Sequence, residues 1–268
     1  MMLGYSTMGA PELSLDQCGA LAAEFGLDFL ELRALEGSID LPRLFKERAP
    51  IPTQIPLRIL GSSLRLTEAS SADAKAFYGY AELAHRLHIP YLRVFGGGRV
   101  EDGLSSGQLA HAAECVDRVR SEMRDRRWNV EILLETHDAF SLPQACLDLN
   151  GLLSEPLNLL WDSHHTWRYG RETPAETWEK IGPLVRHVHY KDSVMEGLQL
   201  RHVLPGKGKF PHAALFDLLH TQDYLGGVSL EWEKLWHPEM PSLRDALRDF
   251  VRIAGRANTA SVPVSNES

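Results

Sequence analysis

Val130-Glu-Ile-Leu-Leu-Glu135, Leu157-Asn-Leu-Leu-Trp-Asp162, Val185-Arg-His-Val-His-Tyr190 and Val228-Ser-Leu-Glu231 are short, branched, apolar runs, and three of the four end in an acid. Runs this short and this apolar are what strands buried on both faces look like. Similar runs stand upstream at Leu3–Ser6, Phe29–Leu32, Pro56–Ser62 and Tyr91–Phe95. Longer segments of helical period separate them. Ser14 and Gln17 have capping-box spacing ahead of Leu15, Cys18, Ala22 and Phe25, and Gly26 ends that helix. Ala74, Phe77, Ala81 and Ala84 give Ser71–His88 one apolar face, which Pro90 stops. Ser106–Arg126, Pro211–Gln222 and Ser242–Ala254 read the same way. The expectation is an α/β protein of eight strands and about eight helices. It closes most economically into a (β/α)8 TIM barrel, because an open parallel sheet would leave two edges to protect; a doubly wound sheet is the alternative. One domain is expected over 1–255. The small, polar, aperiodic segment 256–268 is expected to be a disordered tail.

In such a barrel, function gathers at the carboxyl ends of the strands. Glu135, Asp162 and Glu231 each close a run, and His187 and His189 lie in the run between the last two. A single acid at a strand end commonly caps the next helix. Three on four consecutive strands would converge on one mouth, where their repulsion needs a cation. His187 and His189 share a strand face, and His189 is nearer the carboxyl end, so it is the expected ligand with His187 a core residue below it. Glu135, Asp162, His189 and Glu231 offer three oxygens and one nitrogen without a thiolate. That set prefers one divalent Mn²⁺, with Mg²⁺ or Co²⁺ as alternatives.

The motifs Leu-Glu-Thr-His (134–137), Asp-Ser-His-His (162–165), His-Val-His-Tyr-Lys-Asp (187–192) and Ser-Leu-Glu-Trp-Glu (229–233) resemble those of the xylose-isomerase-like barrel superfamily. Within it the chain is most similar to the sugar phosphate isomerase/epimerase branch, with its ketose 3-epimerases and inosose dehydratases. The resemblance runs from about Leu3 to Ala254. It implies the same four metal ligands, Glu135 and Glu231 as paired catalytic acid and base, His165 as a substrate contact and Arg201, ahead of the Gly206-Lys-Gly208 turn, as another. The implied chemistry is removal of a proton next to a carbonyl through a metal-bound enediolate, giving an isomerase or epimerase. A dehydratase or lyase acting on a keto-sugar, inosose or dehydroshikimate-like substrate through the same enolate is the first alternative, and a non-catalytic sugar-binding barrel the second. Barrels of this branch often pair, which leaves a homo-oligomer open.

Other residues carry competing readings. His137, two positions after Glu135, is placed at the mouth as a substrate contact, with a helix cap equally plausible. His164 is expected to point away. Lys191 is expected to pair with Asp192, or Asp192 with Arg186, and Glu31 with Arg33; Glu233 shares strand parity with Glu231 and so could reach the site, but is expected to be solvated in a turn. Gly96-Gly97-Gly98-Arg99 lacks the register of a nucleotide phosphate loop and reads as a tight βα loop.

Composition sets the outer bounds. Across 268 residues, 28 Lys+Arg stand against 36 Asp+Glu, a net charge of −8, which argues against nucleic acid and anionic membrane as partners. The abasic-site endonucleases built on the same barrel would need a basic groove, so they are disfavoured. Cys18, Cys115 and Cys146 form no disulfide or metal pattern, and the N-terminus lacks a secretion signal, so a cytoplasmic protein is expected. The expected substrate is a small carbohydrate or polyol, and a neutral one, since only Arg201 is in prospect to hold a phosphate.

Overall fold

Eight of the short apolar runs pair in parallel and close on themselves. The computed structural model describes residues 1–46 and 55–255; the expected tail at 256–268 lies outside them. Strands β1 (Met2–Ser6), β2 (Phe29–Leu32), β3 (Leu57–Arg65), β4 (Tyr91–Phe95), β5 (Glu131–Glu135), β6 (Asn158–Asp162) and β7 (Val185–Tyr190) are followed by a small hairpin, β8 (Ser193–Glu196) and β9 (Gln199–His202), and then by β10 (Gly227–Leu230). The closed barrel runs β1-β10-β7-β6-β5-β4-β3-β2, a single TIM-barrel domain, and β8–β9 stands apart as an antiparallel pair. The strand pattern alone did not announce this hairpin, because Ser193–His202 has neither a buried apolar run nor a two-residue Asn-Gly or Asp-Gly turn.

The outer layer is built from α1 (Leu15–Glu24), α2 (Leu41–Leu44), α3 (Ser71–Arg86), α4 (Ser106–Asp125), α5 (Pro143–Asn150), α6 (Ser163–Arg168), α7 (Pro174–Ile181), α8 (His212–Thr221) and α9 (Leu243–Ile253). Full capping boxes open α1 at Ser14/Gln17, α3 at Ser70/Asp73, α4 at Ser105/Gln108 and α7 at Thr173/Glu176, each satisfying backbone N–H groups that the helix leaves unpaired.

Strand alternation sorts the side chains. Outward positions such as Leu134, Trp161, Val188 and Leu230 join the large core between barrel and helices. Inward positions are apolar only low in the barrel, where Ile59, Leu133 and Leu160 form a separate buried cluster with Tyr91 against it. One residue pair higher, the same parity delivers Glu31, Arg93, Glu135, Asp162 and His189, all buried. Gly61 is required at this height: a Cβ there would lie 2.9 Å from both the Arg33 and Arg93 side chains, which fill the space it leaves. The apolar plug therefore supports a polar upper storey. Leu160→Ala is expected to cost about 2–5 kcal/mol through the cavity it opens beneath Asp162. Urea denaturation measures this, and a loss under about 1 kcal/mol would show that the plug is not the support described.

Candidate metal centre and its surroundings

Register brings the sequence-predicted ligands together. Asp162 lies opposite His189 across β6–β7, and Ser229 opposite His189 across β7–β10. Glu135 ends the neighbouring strand, and Glu231 follows directly on β10. Glu135, Asp162, His189 and Glu231, all buried, each offer one ligand atom, and those atoms lie within 4.8 Å of one another. His189 Nδ1 stands 3.3 Å from Glu135 Oε1 and 3.3 Å from Glu231 Oε1. Both Glu135 oxygens and His189 Nδ1 are buried without a hydrogen-bond partner among the described residues. Unsatisfied, inward-facing donors of this kind are what a coordinated ion would complete. The residues fit a divalent metal.

The other nitrogen of His189 shows why the ring is held in this pose. Nε2 sits 2.8 Å from Glu31 Oε2, an interaction spanning 158 positions of sequence. A carboxylate taking the N–H of a ligating imidazole fixes the tautomer and leaves the opposite nitrogen free for a metal. Glu31 therefore does not pair with Arg33, as the sequence suggested; Arg33 instead donates to Ser63 Oγ at 3.1 Å. His187 is the expected core histidine, with Nε2 2.7 Å from Ser229 Oγ.

Lys191 is the second correction. Its ammonium is buried at the centre, 2.9 Å from Asp162, 2.6 Å from Glu231 and 2.6 Å from Glu233, and not paired with Asp192. Asp192 instead accepts from the backbone N–H groups of Ser193, Gly206, Gly208 and Phe210, tying down the loop after the hairpin. Glu233 accordingly reaches the site rather than solvent. Strand parity, which puts 187, 189 and 191 on one face and 229, 231 and 233 on another, is the available signal: it raises Glu233 as able to reach the site, and applied to Lys191 it would do the same.

These neighbours set the protonation states. Burial works to raise Glu135, but Arg93, 3.1 Å away, and His189 outweigh it and hold the carboxyl below its usual range. Burial likewise opposes ionisation of Glu231, and His189 and Lys191 overcome it, leaving the acid well below its usual range. Asp162 goes the other way: burial pushes it up to about 6 despite Lys191. Burial would strip the proton from His189, yet Glu231, Glu31 and Glu135 hold the ring well above the ordinary histidine range. Burial holds His165 well below that range, hence neutral.

Above the cluster opens a cavity of about 430 Å³ whose lining includes His137, His165, Tyr169, His202, Glu233 and His237. His165, in the first turn of α6, places Nε2 3.7 Å from Asp162 Oδ2 and packs against His137, the ring centroids 4.4 Å apart and the planes tilted by 50°. Both thus stand at the mouth. Arg201 does not. The alternation of β9 turns it out to solvent, where it pairs with Glu196 at 2.6 Å, and turns His202 inward instead. Arg99 lines the cavity but is 73% exposed and faces Glu101 and Asp102. Trp232 is core and Trp236 is half exposed; neither lines the cavity.

Residues 19–252 match the family described as xylose isomerase-like TIM barrel. The chain belongs to that family. No curated protein matches it by sequence. Among solved structures, the xylose isomerase-like barrels similar to it include the probable 3-DHS dehydratase AsbF of Bacillus anthracis, at 16% identity and TM-score 0.72, covering 94% of this chain and 99% of that one. The IolI protein, solved with a bound zinc atom, superposes at TM-score 0.72 and 17% identity over 95% of this chain and 98% of its own. D-psicose 3-epimerase from Clostridium cellulolyticum H10, solved with D-tagatose, gives TM-score 0.68 and 17% identity over 95% and 99%. At these identities the likeness is one of fold. Among the described residues no helix is long and apolar enough to cross a membrane.

Glu31→Gln keeps the size of the side chain and removes its charge. It is expected to weaken Mn²⁺ binding about 10–100-fold, measured by titration calorimetry. An unchanged affinity would show that Glu31 does not prepare His189.

Proposed function

We propose that this chain is a divalent-metal-dependent sugar isomerase or epimerase that removes a proton from the carbon next to a carbonyl. The observation that carries this reading is the pairing of Glu135 and Glu231, each 3.3 Å from the same nitrogen of His189, beneath a cavity of sugar-accommodating size. Glu135, Asp162, His189 and Glu231 would hold one ion, Mn²⁺ by preference for an oxygen-rich set. When bound, that ion would acidify the carbon-bound proton of a carbonyl substrate.

The protein's own groups supply the rest. Glu135, held ionised by Arg93, and Glu231, held ionised by His189 and Lys191, are the paired bases, and whichever takes the migrating proton becomes the acid that returns it. Lys191, 2.6 Å from Glu231, keeps its own proton tightly and so holds that carboxyl ready to accept one. His165, kept neutral, can donate to or accept from a substrate oxygen without adding charge, and His137, packed at a tilt against it, is a further contact. Tyr169 offers an apolar ring to a sugar face. Arg201, turned away and ion-paired, has no part in the proposal. Its removal from the mouth leaves Arg99, 73% exposed and facing Glu101 and Asp102, as the arginine of the cavity lining among the described residues, and a single exposed arginine favours an unphosphorylated sugar or polyol over a phosphate needing several convergent cations.

Incubating a panel of ketoses, inososes and 3-oxo sugars with the Mn²⁺-loaded protein in D₂O is expected to place deuterium on the carbon beside the carbonyl. Glu135→Gln and Glu231→Gln are each expected to lower exchange at least about 10³-fold, within the range attributed to general acid–base groups. Loss of water without exchange into recovered substrate would favour the dehydratase reading. No exchange and no elimination across the panel would dismiss the enolisation step.

A further inference from the structure

The inner cluster leaves two histidines of the cavity rim unused. His202 arrives from β9 and His237 from the turn after β10, and both meet Glu233. That turn is built by its own backbone: the N–H groups of Trp236 and His237 donate to Glu233 O at 3.0 Å, so Glu233 and His237 stand on one side as they would on a helix. Glu233 Oε1 is taken by Lys191, and Oε2 faces His202 Nε2 at 3.7 Å, too long for a hydrogen bond. His202 Nδ1 is buried and unpartnered among the described residues. The two imidazole rings lie 5.5 Å apart.

We propose that His202, Glu233 and His237 form a second, outer site for a borderline divalent ion such as Zn²⁺, and that this ion staples the β8–β9 hairpin to the β10 turn across the cavity mouth. One ligand atom from each residue lies within 4.8 Å of the others. Bonds of about 2.0–2.2 Å require somewhat shorter separations, which His237, with 42% of its side chain exposed, would reach by turning inward from Glu239 Oε1, 3.5 Å from its Nδ1. Two nitrogens and one oxygen, with the remaining positions open to water, suit Zn²⁺ better than Mn²⁺ or Mg²⁺, whereas the oxygen-rich inner set has the opposite preference. The two sites thus sort ions by donor type, with Lys191 holding their carboxylates apart. The outer site does not depend on the catalytic reading, since it needs only the hairpin and the turn.

The test titrates chelator-stripped full-length protein with Zn²⁺, counting bound metal by equilibrium dialysis and elemental analysis, and follows hydrogen exchange of Ser193–His202. Wild type is expected to bind two ions per chain and to gain protection in the hairpin as the outer site fills. His202→Ala, His237→Ala and the double variant are each expected to bind one ion and to lose that added protection. Far-UV circular dichroism identifies any misfolded variant, and His237→Ala, at an exposed position, supplies the decisive case. One equivalent in wild type, or two retained in the double variant, would overturn the outer site. Two equivalents with an unprotected hairpin would overturn the staple.

Discussion

Carboxylates buried together repel, and the upper half of this barrel is organised around compensating that repulsion. Glu31, Glu135, Asp162, Glu231 and Glu233 crowd one mouth, and among the described residues only Arg33, Arg93 and Lys191 stand among them as fixed cations. Two negative charges are left over with His189 neutral, and a divalent ion supplies that amount. In the ion's absence a protonated His189 partly takes its place, which explains why the ring is held so far above the ordinary histidine range. Metal uptake would therefore compete with a proton on His189.

The same electrostatics explains which parts of the site sequence could reveal. Glu135, Asp162 and Glu231 were legible because each terminates an apolar run, and the barrel rule converts such endings into a shared location. His189 followed from parity with His187. Glu31 was not legible: its partner lies on a strand across the barrel interior, and a strand-end acid two residues from an arginine reads locally as an ion pair. Lys191 was misassigned for the same reason, since Asp192 beside it offers a nearer carboxylate in sequence than Glu231 or Asp162 do in space. Local adjacency misleads wherever strand alternation sends neighbours to opposite faces.

The hairpin is where the mouth acquires its own character. Without it, Arg201 would read as a loop cation available to a ligand; with it, the two-residue period fixes Arg201 outward and His202 inward. The solved structures that share this architecture at 16–17% identity include a probable dehydratase and an epimerase. What gives this mouth its own chemistry is what covers the strand ends: His137, His165, Tyr169 and the rim histidines.

The convergence of the four donors is tested most directly by anomalous diffraction from crystals grown with Mn²⁺. Convergence predicts a single strong peak about 2.0–2.4 Å from Glu135, Asp162, His189 Nδ1 and Glu231 together. Crystals that show manganese elsewhere, or ordered carboxylates around Lys191 with no peak among them at saturating Mn²⁺, would contradict it.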